Sequence, residues 1–357
     1  MYQLAQPAIC SNFVAKVTLK SGMFSGYWNY VHSAAYAVGV NLGSINQTSG
    51  IQNLDQSRYF NEPAPFPPEP EQIAIAGFLD RETAKIDALV AEQERLVTLL
   101  FEKRQAAICQ AITRGLAFNS ATKNSGFEWL GEIPAHRELI RIKHVVASIE
   151  QGWSPQCESF PVSSHDEWGV LKVGCVNGGV FQSAENKKLP PDLEPIPAYS
   201  LKRGDLLVSR ANTRDLVGSA AVVQTDFDNL MLCDKLYRLR LIGERCLPSF
   251  LAAYLGTRQA RSQIELGATG ASSSMLNIGQ TVILDMPVPI PSITEQAAIL
   301  DFVEAETERL DSLCVEARRT VKLLRERRTA LIGAAVTGQI DVRTSAIKRA
   351  APEDIPA

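Results

Sequence analysis

The chain has no run of about 18 apolar residues, so no membrane-spanning helix is expected. Its first twenty residues hold no basic stretch followed by an apolar one, so no secretory signal is expected either. Cysteine is sparse and unpatterned: seven in 357 residues, with no C-x-x-C. That argues for reduced thiols in a cytosol and against a disulfide framework or a zinc site. The four histidines, at 32, 136, 144 and 165, have no metal-ligand spacing, and His136, His144 and His165 read as structural. Also missing are a G-x-x-x-x-G-K-[ST] phosphate loop, a G-x-S-x-G, a nuclease set of paired carboxylates with lysine, and the acidic- or Asn-Pro-Pro-aromatic tetrapeptide of an amino-methyltransferase. Leu189-Pro190-Pro191-Asp192 is not such a tetrapeptide. There is no excess of positive charge: the net charge is −3. That counts against nucleic acid as a first guess, although a local basic stripe can coexist with an acidic total. What remains is ordinary globular material, 45% hydrophobic and 21% charged, long enough for two or three domains.

What the chain does have is itself, twice. Residues 63–113 return at 287–337, a constant offset of 224 without a gap, with 23 identities in 51 positions. Some of the mismatches are conservative, such as Ile86/Leu310, Lys85/Arg309 and Asp80/Glu304. A period this long means duplication of a whole domain plus a helix, not a solenoid. Upstream, residues 48–54 fall on 272–278, and then the match weakens, with Trp28 near Phe250 and Cys10 near Cys233. Residue 1 thus corresponds to about residue 225, and roughly the first hundred residues of the second copy, which opens near Ser125, have no partner. The first copy reads as cut short at its N-terminus, or as a domain that evolved to be short.

Phe13–Leu19 reads as a strand and Tyr27–Val38 as a short helix, followed by a polar loop over 43–52. Pro65, Pro67, Pro68 and Pro70 make a stiff lead into a helix from Glu71 to about Arg114, rich in good helix formers. Leu79, Ile86, Gln93, Leu100 and Ala107 recur every seven residues with Leu89 and Leu96 between them. The second copy repeats this with Val303, Leu310, Ala317, Leu324 and Leu331, and Leu313 between. The period is that of a coiled coil. Either the two rods pack on each other, or each packs on its own globular domain. Strands are predicted at Val170–Val173, Asp205–Val208, Ala220–Val223 and Lys235–Leu241, and one helix over 248–263 capped by Ser249. The tail from about Arg343 reads as disordered.

Several of these residues resemble a known family, the specificity subunits of type I restriction–modification systems. Pro65-Phe66-Pro67-Pro68, Glu71-Gln72, Phe78-Leu79-Asp80, Glu82-Thr83, Ile86-Asp87, Glu102-Lys103-Arg104 and Thr113-Arg114-Gly115-Leu116 are similar to the family's central conserved helix. The segment 125–136, SGFEWLGEIPAH, resembles the linker that opens its second half, and Pro289-Ile290-Pro291 with Glu295-Gln296 resembles the start of its second conserved helix. Arg137 departs from the pattern, which usually has Trp there. The resemblance covers most of 41–340. It implies an α+β fold: two α/β target recognition domains, the first partial, separated by two long helices packed as an antiparallel coiled coil. The implied boundaries are 1–62 for the end of the first recognition domain and 63–116 for the first helix. A linker at 117–137, the second recognition domain at 138–286, the second helix at 287–342 and a tail at 343–357 complete them. It further implies a non-catalytic subunit that reads one half of a bipartite double-stranded DNA site with each domain. Such a subunit directs methyltransferase and restriction subunits, and S-adenosylmethionine, ATP and magnesium would belong to those partners.

Sequence readout requires short donors and acceptors on loops with Arg or Lys for phosphates. Four loops meet that description. They supply Trp153 and Ser154; Lys172 and Asn177; Ser209, Arg210, Asn212, Thr213 and Arg214; and Thr269, Ser272 and Ser273. Against this, packing is the favoured reading for Trp153, a cap or loop anchor for Asn277, a turn for Arg203-Gly204-Asp205 and a solvated face for Lys187-Lys188. On the rods, Glu92, Arg95, Glu316 and Arg319 are either solvated or contacts for the methyltransferase subunits. Two function classes stand: a DNA-recognition subunit, or a coiled-coil scaffold without DNA binding. If the first copy is cut short, the chain is not expected to read the first half-site alone.

Overall fold

The computed structural model describes residues 9–11, 13–48, 51–117, 120–272 and 275–342. The tail expected to be disordered lies outside them. The chain forms two units, Met1–Leu99 with Ser312–Ala357, and Leu100–Asp311. Among the described residues no helix is long and apolar enough to cross a membrane.

Two long helices contribute to both units. The first, Glu69–Arg114, starts where the prolines release the chain: the amides of Glu71 and Gln72 donate to the Pro68 carbonyl at 2.9 and 3.0 Å. Proline is tolerated there because the first turn's N–H groups lack helical partners. The helix stops at Gly115, whose φ of 82° suits glycine and turns the chain out. The second, Ile293–Val336, is capped by Ser292, whose hydroxyl accepts from the Glu295 amide at 3.2 Å.

The helices run antiparallel in each unit. In unit 1 Arg328 meets Asp87 at 2.8 Å, and in unit 2 Arg104 meets Asp311 at 3.5 Å. Positions 87 and 311, like 104 and 328, differ by 224, so one pair is the other with the copies exchanged. Such half-exposed pairs set register more than stability, at about 0–1 kcal/mol each. Of the predicted heptad, Leu79, Ile86, Leu100, Leu310 and Ala317 are buried. Leu89, Leu96 and Leu313, expected in the seam, are exposed. Two helices alone cover one stripe each; the second stripe of the heptad faces outward.

The duplication extends well upstream of the stretch where identity is evident. In unit 1, helix Ser25–Ala37, strands Ile45–Thr48 and Ile51–Leu54, and the short helix Gln56–Tyr59 precede the rod. In unit 2, helices Pro248–Leu255 and Arg258–Gly267, strands Thr269–Ser272 and Met275–Asn277, and the short helix Gln280–Leu284 do the same. Two buried glutamines mark the equivalence. Gln72 accepts from the Phe24 amide at 2.8 Å and donates to the carbonyls of Gly22 at 3.1 Å and Pro67 at 2.8 Å. Gln296 accepts from the Leu247 amide at 2.8 Å and donates to Arg245 and Pro291, both at 3.0 Å.

Unit 2 adds two four-stranded sheets. One is antiparallel, ordered Ala220–Val222, Leu206–Ser209, Leu236–Leu241, Val146–Gln151. The other is ordered Asn186–Lys188, Gly169–Leu171, Phe227–Met231, Ser200–Leu201, with its central pair parallel. One core fills the space between the first sheet and helix Pro248–Leu255, including Leu206, Val208, Leu239, Phe250 and Tyr254. A second lies between the sheets, including Leu207, Ala221, Leu171 and Met231.

Four expectations are corrected. Phe13–Leu19 is not a strand: its composition suits one, but a strand needs neighbours to take its N–H and C=O groups. The loop expected over 43–52 contains the hairpin strands Ile45–Thr48 and Ile51–Leu54. The helix expected over 248–263 is two helices, broken at Gly256-Thr257, where the Thr257 hydroxyl caps the second by accepting from the Ala260 amide at 3.4 Å. Ser249 is no cap, since Leu247 holds that position without a side-chain bond. Thr257→Ala is expected to cost about 1 kcal/mol, measured as a lower midpoint in urea at unchanged slope.

Candidate nucleic-acid interface

The four loops singled out in the sequence are linked in unit 2: two of them lie against the turn at 232–235, and the other two meet strand Ala211–Asn212. Gly152 and Trp153 lie along it: their amides donate to the carbonyls of Cys233 at 3.2 Å and Leu232 at 3.1 Å. A Cβ on Gly152 would sit 1.9 Å from the Leu232 carbonyl oxygen, so only glycine allows this approach. Ser154 donates to the Asp234 carboxylate, and its hydroxyl accepts from the Asp234 amide at 3.1 Å. Arg210 donates to the Asp234 carbonyl at 3.4 Å, and its amide to Lys235 at 2.8 Å. Strand Ala211–Asn212 then pairs with Met275–Asn277, which pairs with Thr269–Ser272. Finally the Asn212 amide group donates to Asn177 at 3.4 Å.

The candidates take different positions in this cluster. Thr213, Arg214 and Thr269 are exposed, as is Ser154. Lys172, Asn177 and Arg210 are half-buried, and Lys172 lies 3.9 Å from Glu185. Trp153 packs against the inter-sheet core. Ser209 is fully buried and donates to the Leu216 carbonyl at 2.9 Å, so its hydroxyl is used inside the fold. Asn212 is buried, and its carbonyl accepts from the Thr213 amide at 2.9 Å. Ser272 ends a strand, and Ser273 lies outside the described residues. The Arg203-Gly204-Asp205 segment is a turn, with Gly204 at φ 89° and Asp205 buried against Arg238 and Arg240.

Sequence reasoning missed the residues that hold these loops. Arg261 donates to the carbonyls of Val217, Asp215 and Arg214, fastening the exposed turn to a helix. Burial lowers its pKa, opposed by Glu265 and Asp215. Lys235 is exposed beside Arg210, and Asp234 orders Ser154. None of the three stands in a recognisable motif. Among the described residues Arg210, Arg214 and Lys235 form no ion pair, so their charge is free to meet an anion. The thiols beneath are inert: burial pushes Cys233 up to about 12, and Cys175 also up.

No family model matches the chain. Over 173 residues it is 31% identical to the specificity subunit of the type I restriction enzyme EcoEI from Escherichia coli, covering 48% of this chain and 29% of that protein. Over 300 residues it is 22% identical to the StySPI specificity subunit of Salmonella potsdam, covering 84% of this chain and 62% of that one. The chain thus spans less than two thirds of either relative. The HsdS subunit of Thermoanaerobacter tengcongensis superposes with a TM-score of 0.51 at 15% identity, over 88% of this chain and 70% of that one. The chain is similar to type I specificity subunits in sequence and in fold. A chain from a structure concerned with assembly and conformational transition of the type I R-M system gives a TM-score of 0.58 at 17% identity, over 88% and 71%. At these identities the superpositions speak to the fold: for this specificity-subunit homologue, α+β units with two long helices.

Proposed function

We propose that this chain is a non-catalytic DNA-recognition subunit, and that the loop cluster of unit 2 reads one part of a double-stranded DNA site. The observation that carries this is the linkage of four loops, remote in sequence, through the 232–235 turn and strand Ala211–Asn212, with Arg210, Arg214 and Lys235 free of ion pairs among the described residues and close in the chain or fold to exposed Thr213, Ser154 and Thr269. Arginine and lysine hold phosphates, and arginine also reads guanine edges. By the same reading the chain brings methyltransferase subunits, and with them restriction subunits, to the site. The exposed rod residues Glu92, Arg95, Glu316 and Arg319 are offered to those partners. S-adenosylmethionine, ATP and magnesium belong to the partners in this scheme.

The test is DNA binding by the chain with its methyltransferase subunit, comparing wild type with Arg210→Ala. If Arg210 reads a base, discrimination at one position falls by about 1–3 kcal/mol while other positions hold. If it holds a phosphate, affinity falls evenly across sequences and the salt slope shrinks by about one. No change in either removes Arg210 from the interface. Assembly with the methyltransferase subunit without any DNA binding would leave the scaffold reading standing instead.

A further inference from the structure

The turn at 232–235 carries one acidic side chain, Asp234, between two basic ones. Lys235 follows it, and Arg210 donates to its backbone carbonyl at 3.4 Å. Among the described residues Asp234 nonetheless forms no ion pair. A carboxylate facing DNA is repelled by phosphates and by every acceptor on a base edge. On a surface that only held phosphates it would weaken binding.

The structure holds this carboxylate in place. The carbonyls of Leu232, Cys233 and Lys235 accept from the amides of Trp153, Gly152 and Arg210 at 3.1, 3.2 and 2.8 Å, which fixes the turn. The Ser154 hydroxyl donates to Asp234 Oδ1 and accepts from the Asp234 amide at 3.1 Å. The side chain is half-buried, and its Oδ2 has no partner among the described residues. An oriented acceptor with a free oxygen is built to receive a donor.

Two donors face the major groove, the N4 amino group of cytosine and the N6 amino group of adenine. Adenine sets its N7 acceptor beside N6, and an ionised carboxylate, which only accepts, matches one and repels the other. Cytosine shows its donor without a neighbouring acceptor. Its partner guanine shows two acceptors, O6 and N7, which suit a guanidinium. Arg210 is bonded to the backbone of Asp234, so guanidinium and carboxylate stand together at one turn. Resting on the reading of unit 2 as a DNA-recognition surface, we propose that Asp234 reads the cytosine of a G·C pair by accepting from its N4 amino group, with Arg210 on the guanine of the same pair.

The chain with its methyltransferase subunit first selects duplexes from a randomised pool. Affinities for the selected site and its single-pair variants are then measured for wild type and Asp234→Asn. The substitution keeps the side chain's size and an oxygen for Ser154, and it turns a lone acceptor into an acceptor plus a donor, which matches adenine. The preference for cytosine over adenine should fall about tenfold or more at one pair, with other positions unchanged. Affinity for unrelated duplex should hold or rise, because a negative charge is gone from beside the phosphates. The relaxed pair should be the one that Arg210→Ala relaxes. The same contact is tested on the unaltered protein by replacing each cytosine of the selected site with 2-pyrimidinone, which lacks the N4 amino group. One replacement should cost wild type about tenfold beyond the others. Unchanged preference in Asp234→Asn, relaxation at a different pair from Arg210→Ala, or a site that tolerates 2-pyrimidinone at every cytosine overturns this inference and leaves the DNA-recognition reading standing. A wild type that binds no DNA overturns that reading, and the inference with it.

Discussion

Glu295→Ala is expected to destabilise unit 2 by about 3–5 kcal/mol, because it strands a buried guanidinium. Arg137 is 1% exposed. Its Nε and Nη2 donate to Glu295 Oε1 at 3.1 and 2.7 Å. Its Nη1 donates to the carbonyls of Ile112 at 2.6 Å and Thr113 at 3.2 Å. Those carbonyls belong to the last turn of the first long helix, where none has a helical partner and the dipole favours a cation. One side chain thus ties the end of one long helix to the start of the other. Gly115 makes room for it: a Cβ there would lie 3.0 Å from Nη2. Burial lowers the Arg137 pKa, with Glu295 opposing. Burial also raises that of Glu295, but the hydrogen bonds from Arg137 and His136 outweigh it and hold the carboxyl below its ordinary value.

The sign for pH follows. A carboxyl with a depressed folded pKa stabilises fully above its unfolded value, and that contribution is lost as pH falls through the folded one. Wild type should therefore lose stability in acid along a limb that Glu295→Ala lacks. The measurement is the guanidinium midpoint at constant slope, near neutrality and in acid. Adding Arg137→Met to Glu295→Ala should recover much of the loss, since an apolar side chain tolerates the pocket that an unpaired charge does not. A loss under 1 kcal/mol, or a double variant no better than the single, would show that the pair is not what holds the helices.

Gln296→Leu should cost about 3 kcal/mol or more, from orphaning one buried amide and two carbonyls at about 1–3 kcal/mol each. The counterpart Gln72→Leu should cost a similar amount, because its three bonds go to equivalent backbone groups. The informative outcome is where each acts. Amide exchange should accelerate in unit 1 for Gln72→Leu and in unit 2 for Gln296→Leu. Equal acceleration everywhere in either variant would refute separate local roles.

Much of this was legible in the residues. The duplication and the two rods follow from local rules of period and propensity, which act within a few residues. The Glu-Gln pairs were visible as a motif, but their work was not: Gln72 and Gln296 bond to groups 48 to 51 residues away. Arg137 stood out only as a departure from a pattern, and nothing nearby in sequence names Ile112 or Glu295 as its partners. Of the candidate readers, Ser209 and Asn212 have the right chemistry for a base edge, yet both are buried and bonded within the fold. Their neighbours Thr213 and Arg214 are exposed. A strand two residues long followed by a turn separates inside from outside, and composition carries no mark of it.

By itself the sequence determined that a unit was copied at an offset of 224 and that each copy leads into a long helix, and it carried the resemblance to type I specificity subunits. Tertiary structure alone decided which side chains meet. It linked four loops through the 232–235 turn and strand Ala211–Asn212, placed Arg137 beneath the helix ends, and left Phe13–Leu19 without a ladder although its composition suits a strand. The reason is the range of the interactions. Helix hydrogen bonds close within four residues and are written locally, whereas strands, buried polar contacts and loop clusters are completed by groups elsewhere in the chain.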